Sequence, residues 1–143
     1  DTICIFKPAV MRNPTMGPAA LMAGYASGAA GVDVIRDVAE RVVAGRSLLI
    51  FPEGTRTLAG VDLNPLKSGF ALIAARAHVP VRLLVIRAPR DLAPKGAPWW
   101  RIPNFPSQVK ISFLGEMSAI TGESAKELTA RAARQLSAAL ASP

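Results

Sequence analysis

Two reactive residue types are almost missing from the sequence, which holds one cysteine and one histidine among its 143 residues. With Cys4 alone an internal disulfide is excluded, and the apolar run around it (TICIF) is typical of a small buried side chain. A lone cysteine fits a reducing, cytosolic setting. We expect His78 to stand at the end of a helix, and we expect neither a metal site nor a bound cofactor.

Acidic residues are also scarce, with 10 Asp and Glu against 17 Lys and Arg, a formal net charge of +7. The excess is concentrated in residues 76–110, which hold seven basic residues and one acid, Asp91. A basic region attracts polyanions, which include nucleic acid, anionic lipid and phosphorylated ligands. A solvated face that keeps the protein soluble explains the charge equally well, so composition alone leaves both interpretations open.

Long runs of large apolar side chains are missing as well. Residues 13–32 are uncharged and numerous enough to cross a bilayer, but they include two prolines and four glycines and few large apolar side chains. We therefore expect a soluble segment there, and no signal-peptide pattern is present. Because the sequence begins at Asp1 with residues that already resemble the interior of a strand, we expect further residues upstream.

The remaining pattern is that of an α/β domain. Apolar runs of strand length occur at residues 2–7, 47–51, 79–86 and 108–115. Apolar spacing, turn residues and caps predict helices at residues 17–26, between Asp33 and Gly45, at residues 67–77 and from Ser124 onward. The alternation predicts a mixed, partly parallel sheet flanked by helices, in a single domain over residues 1–143.

Two helix starts are predicted from capping residues. Asp33 is the expected N-cap of the second helix. Ser124 and Glu127 have the spacing of a capping box at the start of the last helix. The apolar stripe of that helix consists of Leu128, Ala132, Leu136 and Leu140.

The last strand has a clear alternation. Val109, Ile111 and Phe113 are separated by polar residues, so they share one face of the strand. We expect that face to point inward.

The sequence FPEGTR at residues 51–56 carries the most chemistry. A buried strand is expected to end at Phe51, where Pro52 stops the ladder. The residues after it then emerge at the carboxyl end of a strand, where open α/β sheets bind their ligands. This position predicts a binding site.

The residues that follow Pro52 suit an anion site. Gly54 lets the backbone turn sharply and a ligand approach closely, and Thr55 adds a hydroxyl group. Arg56 presents a planar donor fork for phosphate or carboxylate. Glu53 can hold Arg56 in place or accept a hydrogen bond from a substrate hydroxyl. A turn with a Glu53–Arg56 ion pair and no ligand explains the same residues, and the pattern alone leaves this alternative open.

FPEGTR resembles the hallmark acceptor-site motif of the glycerolipid acyltransferases, the lysophospholipid and 1-acyl-glycerol-3-phosphate acyltransferase family. Other segments resemble the family's remaining blocks in order and spacing: Lys7 with Arg12-Asn13-Pro14 and Gly17, AGRS at 44–47, LKSG at 66–69, VPV at 79–81 and KGAPWWRIP at 95–103. The hexapeptide is specific and the other segments are individually weak. The last of them is similar to a bacterial branch of the family.

The resemblance implies an enzyme of phospholipid biosynthesis with an αβ sandwich fold. The reaction would transfer an acyl group from a thioester, acyl-CoA or acyl carrier protein, to the hydroxyl of a lysophospholipid such as lysophosphatidic acid. Arg56 is expected to hold the acceptor phosphate, and Glu53, Gly54 and Thr55 to belong to the same site. The expected supporting residues are Phe51, Pro52, Lys67 and Gly69. The expected location is peripheral, on the cytoplasmic face of the inner membrane.

The family's catalytic histidine, with an aspartate five residues later (H-x4-D), is missing from this sequence. The chain's histidine, His78, follows the hexapeptide instead of preceding it, and Leu83 stands where the aspartate would be. The resemblance therefore implies that the catalytic pair lies upstream of residue 1 and that these 143 residues alone are inactive. A non-catalytic module that kept the anion site and lost the base is the alternative function.

Trp99, Trp100 and Arg101 have the composition of a membrane interface, with aromatic rings at headgroup depth and a cation facing anionic lipid. Packing of the two tryptophans into the core explains them equally well. Stacking on nucleic-acid bases is a third interpretation, but no nucleic-acid-binding motif supports it. We expect contact with an anionic membrane surface and none with nucleic acid.

Overall fold

The chain has a mixed α/β structure with parallel strands, as the alternation predicts. The computed structural model describes residues 1–6, 8–14, 16–27, 31–55, 57–58, 60–89, 92 and 106–141. Two compact units are present: unit 1 is Asp1–Pro52 with Ser68–Val79, and unit 2 is Glu53–Lys67 with Pro80–Pro143. The sandwich arrangement and the single domain stay predictions.

Unit 1 is built on a three-stranded parallel sheet. Its elements, in chain order, are β1 (Thr2–Phe6), α1 (Pro8–Met11), α2 (Met16–Met22), β2 (Ala26–Ser27), α3 (Val32–Val43), β3 (Ser47–Leu49) and α4 (Gly69–Ala77). β1 is the central strand, and both β2 and β3 run parallel to it. Because parallel strands need a crossover between them, α3 follows from this topology as the connection that leads into β3.

The core of unit 1 gathers side chains from β1, α3 and α4. Ile3 and Val38 are fully buried, and Ile73 belongs to the same cluster. Burial of large aliphatic side chains such as these stabilises a fold by about 1.5–3 kcal/mol each. α4 contributes a buried face that includes Phe70, Ile73 and Ala74.

The start of α3 differs from the prediction. The N-cap is Gly31, with extended backbone at φ −177°, and the helix begins at Val32. Asp33 therefore lies inside the first turn, where its carboxylate pairs with Arg36 at 3.2 Å. An acid in that position still interacts favourably with the helix dipole, so the residue type is right and its role as N-cap is wrong. Gly45, predicted to stop the helix, has φ +95° just after its end.

Three other elements have an end or a start that differs from the prediction. α2 ends at Met22 because Gly24 takes φ +67° and the N–H of Tyr25 donates back to the carbonyl of Ala20, a glycine-terminated helix end. The helix predicted from residue 67 begins at Gly69. The strand predicted for residues 47–51 ends at Leu49.

Unit 2 joins a hairpin to one long helix. Its elements are β4 (Val81–Arg87), β5 (Lys110–Met117) and α5 (Ala125–Ala141), and the two strands are antiparallel. α5 packs on β4, and the buried apolar side chains among the described residues of unit 2 are Leu83, Val85, Met117, Leu128, Ala132 and Leu136. The predicted capping box is confirmed, because the Ser124 N–H donates to Glu127 Oε2 at 2.8 Å and the Glu127 N–H donates to Ser124 Oγ at 3.3 Å. Within the described ranges, no helix is both long enough and apolar enough to cross a membrane.

The prediction that Val109, Ile111 and Phe113 point inward is wrong. Ile111 and Phe113 are 64% and 62% exposed, and Val109 beside them is also exposed. Their cross-strand partners on β4, Ile86 and Leu84, share this open face. Leu83 and Val85 of β4 are buried, and α5 packs on that strand. Alternation identifies which residues share a face of a strand, but not which face another element covers.

The carboxylates at the start of α5 are expected to make the stability of the protein depend on pH. Hydrogen bonds from the Ser124 side chain and backbone lower the pKa of Glu127, and a hydrogen bond from Arg131 lowers the pKa of Glu123. A carboxyl group whose pKa is lowered by folding stabilises the protein above its unfolded pKa, and this contribution is lost as the pH falls through the folded pKa.

We expect the melting temperature of Glu127→Gln to lie below that of the wild type at pH 7, and the difference to shrink as the pH falls below about 4. Thermal unfolding followed by circular dichroism between pH 7 and pH 2.5 measures this. The exposed acid Glu40, on α3, supplies the control variant Glu40→Gln. A difference for Glu127→Gln that does not change with pH would contradict the linkage.

Candidate functional site

The hexapeptide begins outside the sheet. β3 ends at Leu49, so Phe51 is not its last residue and Pro52 is not what stops the ladder. Phe51 is 62% exposed instead of buried, and Pro52 is half-buried at the start of a turn. The turn still follows the carboxyl end of a parallel strand, the position at which open α/β sheets carry their ligand-binding residues.

Gly54 occupies a position that only glycine fits without strain. Its φ is +64°, and a Cβ at this residue would lie 3.1 Å from Nζ of Lys67 and 3.2 Å from its Cε. The lysine stem therefore lies directly against the glycine backbone. The predicted sharp turn at this glycine is present. Close approach of a ligand stays a prediction, and the group beside the glycine here is the Lys67 side chain.

The carboxylate of Glu53 closes the loop formed by residues 53–67, called the site loop below. The Asn64 N–H donates to Glu53 Oε2 at 2.9 Å. The Thr57 hydroxyl donates to the same oxygen at 3.1 Å. Arg56 lies outside the described residues, so the predicted Glu53–Arg56 ion pair stays a prediction, as does the phosphate contact of Arg56.

Asn64 is a site residue that the sequence analysis missed. It is 6% exposed, and its side-chain oxygen accepts a hydrogen bond from the Leu58 N–H at 3.3 Å. A buried amide side chain requires hydrogen-bond partners, and Asn64 stands in the sequence between the apolar Leu63 and the segment Pro65-Leu66. A polar residue in such a context is the signal that could have revealed it.

The other predicted site residues have different surroundings. Thr55 and Lys67 are exposed, so both side chains are open to a ligand in solution. Gly69 is the first residue of α4, and a Cβ there would meet no atom within 4 Å. Nothing around Gly69 therefore requires a glycine, and its supporting role stays a prediction. Trp99, Trp100 and Arg101 lie outside the described residues.

The chain's histidine stands where the sequence analysis expects it. His78 follows α4 in the left-handed conformation with φ 53°, and its N–H donates to the carbonyl of Ala74. Leu83, five residues later, is buried in β4. His78 therefore lacks the aspartate five residues later that the H-x4-D spacing requires. Among the described residues no group of His, Cys, Asp and Glu has the arrangement of a metal site.

The chain belongs to the acyltransferase family. The family's sequence model, described as "Acyltransferase", matches residues 3–87, which include the hexapeptide, the site loop and most of unit 1. This family assignment confirms the resemblance based on FPEGTR. No solved structure shows significant similarity to the chain.

Two curated plant proteins are similar to this chain. One is a 1-acyl-sn-glycerol-3-phosphate acyltransferase of Cocos nucifera, 34% identical over 91 residues, which cover 59% of this chain and 29% of the relative. The other is the chloroplastic 1-acyl-sn-glycerol-3-phosphate acyltransferase BAT2 of Brassica napus, 38% identical over 66 residues, which cover 46% of this chain and 19% of the relative. The chain thus spans less than a third of the length of either. The bacterial origin stays a prediction.

Proposed function

We propose that the protein transfers an acyl group from a thioester donor to the hydroxyl of a lysophospholipid, with lysophosphatidic acid as the acceptor. The observation that supports this most is the turn at Gly54, where a lysine side chain lies against a left-handed glycine within the FPEGTR motif of an acyltransferase-family chain. The two similar plant proteins, both 1-acyl-sn-glycerol-3-phosphate acyltransferases, agree with this acceptor.

The site residues suit recognition of a phosphate group. Lys67 supplies an exposed ammonium group beside Gly54, and Arg56 follows two residues after that glycine in the sequence. An arginine fork can donate two parallel hydrogen bonds to phosphate oxygens, whereas a lysine acts as a point charge. Together they would fix the acceptor by its charged end and leave its free hydroxyl for the reaction.

The proposed chemical step needs a general base, and the chain's histidine, His78, follows the hexapeptide in the sequence instead of preceding it. In the proposed reaction a histidine upstream of Asp1 removes the proton of the acceptor hydroxyl, and a nearby aspartate orients that histidine. The hydroxyl oxygen attacks the thioester carbonyl carbon, an ester C–O bond forms and the C–S bond breaks. The departing thiolate takes up a proton. No metal or bound cofactor has a role in this scheme.

We also propose that the enzyme works at the cytoplasmic face of the inner membrane as a peripheral protein. Its acceptor is a lipid, and the two tryptophans and Arg101 have the residue types that bind at an anionic interface. The donor, acyl-CoA or acyl carrier protein, is water-soluble. A peripheral enzyme can take one substrate from each phase.

The test is acyl transfer from a long-chain acyl thioester to lysophosphatidic acid in vesicles, with the protein of the complete gene and the 143-residue chain side by side. We expect turnover from the complete protein only. Turnover should be faster on vesicles that contain anionic lipid, and Trp99→Ala/Trp100→Ala should weaken sedimentation with those vesicles.

Absence of turnover by the complete protein, across several lysophospholipid acceptors, would refute the proposed function. Vesicle binding without turnover would then favour the non-catalytic binding module. Turnover by the 143-residue chain would instead show that the base lies within it.

A further inference from the structure

The site loop is held closed by hydrogen bonds that join residues near its start to Asn64, near its end. Asn64 takes part in two of them, since its backbone N–H donates to the Glu53 carboxylate and its side-chain oxygen accepts from the Leu58 N–H. The Thr57 hydroxyl adds a third bond, to Glu53. We call these four residues, Glu53, Thr57, Leu58 and Asn64, the clasp. It ties the start of the loop to a point three residues before Lys67.

The clasp restricts the position of Lys67. Lys67 follows Asn64 after only Pro65 and Leu66, so fixing Asn64 limits the positions that the lysine backbone can reach. At the other end, Glu53 is directly bonded to Gly54. Both partners of the contact between Gly54 and the Lys67 stem therefore lie close in sequence to a clasp residue, Gly54 to Glu53 and Lys67 to Asn64.

We propose that Asn64 is a positioning residue of the acceptor site, and that Glu53 acts through Asn64 and not by contact with the substrate. This inference rests on the proposed function. The clasp holds the site loop so that the Lys67 ammonium faces the turn at Gly54, where the acceptor phosphate binds. Removal of the Asn64 or the Glu53 side chain would therefore weaken binding of the acceptor even though neither side chain contacts it.

Burial distinguishes Asn64 from an ordinary polar loop residue, whose side chain is exposed to solvent. Its side chain is among the few buried polar ones in the described part of the chain, and it is the one in the site loop. Buried amide groups are kept because they satisfy backbone groups that would otherwise have no partner. Removal of its oxygen would leave the Leu58 N–H without this acceptor and release the middle of the loop.

The experiment compares Asn64→Ala with Asp62→Ala in the complete protein. Asp62 is exposed in the same loop and serves as the matched control. We expect Asn64→Ala to raise the KM for lysophosphatidic acid about 10-fold, with kcat and the KM for the acyl donor changed less than about twofold. Hydrogen exchange of the Leu58 and Asn64 amides should become faster in Asn64→Ala and stay unchanged in Asp62→Ala.

Glu53 variants test how that residue acts. Glu53→Gln keeps an oxygen that can accept from the Asn64 N–H, so it should retain most activity, whereas Glu53→Ala should raise the acceptor KM as Asn64→Ala does. If both residues act through one loop, the effects of Glu53→Ala and Asn64→Ala will be far from additive in the double variant. Thr57→Val, at an exposed residue, is a milder substitution should Asn64→Ala not fold.

Each result decides the inference. An acceptor KM for Asn64→Ala equal to that of Asp62→Ala overturns it, and so does a lower kcat with an unchanged acceptor KM, which would indicate a general loss of folded protein. Additive effects of Glu53→Ala and Asn64→Ala would show that Glu53 acts independently of Asn64, as expected for a residue that contacts the substrate directly. If the wild type transfers no acyl group, the proposed function fails and the positioning role with it, while the exchange rates still decide whether the clasp exists.

Discussion

Alanine at position 54 is expected to remove most of the acyl transfer to lysophosphatidic acid. Gly54 has φ +64°, a conformation that costs an alanine about 1–2 kcal/mol. The new Cβ would also stand 3.1 Å from Lys67 Nζ, so the flexible lysine must move away from the turn. With the lost charged contact added, we expect kcat/KM for the acceptor to fall about 100-fold, most of it as a higher KM.

Gly60 provides the matched control for Gly54. Its φ is +85°, and a Cβ there would meet nothing within 4 Å. Gly60→Ala should therefore lower the melting temperature by a similar amount but leave the acceptor KM nearly unchanged. Steady-state kinetics and thermal unfolding of the two variants measure this difference. Equal kinetic losses in both would mean that backbone strain alone, and not the approach of Lys67, explains the glycine.

Arg56→Ala is expected to raise the acceptor KM by about 10- to 100-fold, because a hydrogen-bonded contact between charged groups contributes about 1.5–3 kcal/mol. The effect belongs to the phosphate group, so it should disappear with an acceptor that lacks one. Kinetics with lysophosphatidic acid and with monoacylglycerol, for the wild type and the variant, measure the contribution of the phosphate directly.

Arg56→Lys and the donor side supply the controls for this prediction. Lysine keeps the charge but not the planar fork, so we expect an intermediate acceptor KM. The KM for the acyl thioester should not change in either variant. An equal loss with both acceptors would contradict the assignment of Arg56 to the phosphate, and unchanged kinetics with lysophosphatidic acid would remove Arg56 from the acceptor site altogether.

Sequence reasoning succeeded where a feature depends on a few neighbouring residues. The capping box of Ser124 and Glu127 is a local interaction with fixed spacing, and it is present as predicted. The left-handed turn at Gly54 likewise follows from what its residue type permits. The strand and helix alternation predicted parallel pairing in unit 1, since short connections cannot join parallel strands.

It failed where the outcome depends on what another segment does. The open face of β5 follows from the side on which α5 packs, and no residue of the strand specifies that side. Asn64 escaped notice because its partners, Glu53 and Leu58, lie eleven and six residues away across an irregular loop. Periodicity describes helices and strands, and a loop has none. Hydrogen bonds inside a loop can therefore be identified only from the three-dimensional structure.

The central position of β1 has a consequence for how the protein folds during synthesis. Ile3 has its core partners in α3 and α4, and Ile73 is near the end of unit 1. A ribosome must therefore make the whole site loop before β1 can be sealed from water. In that interval the apolar residues of β1 have no complete core, a situation in which nascent chains depend on chaperones.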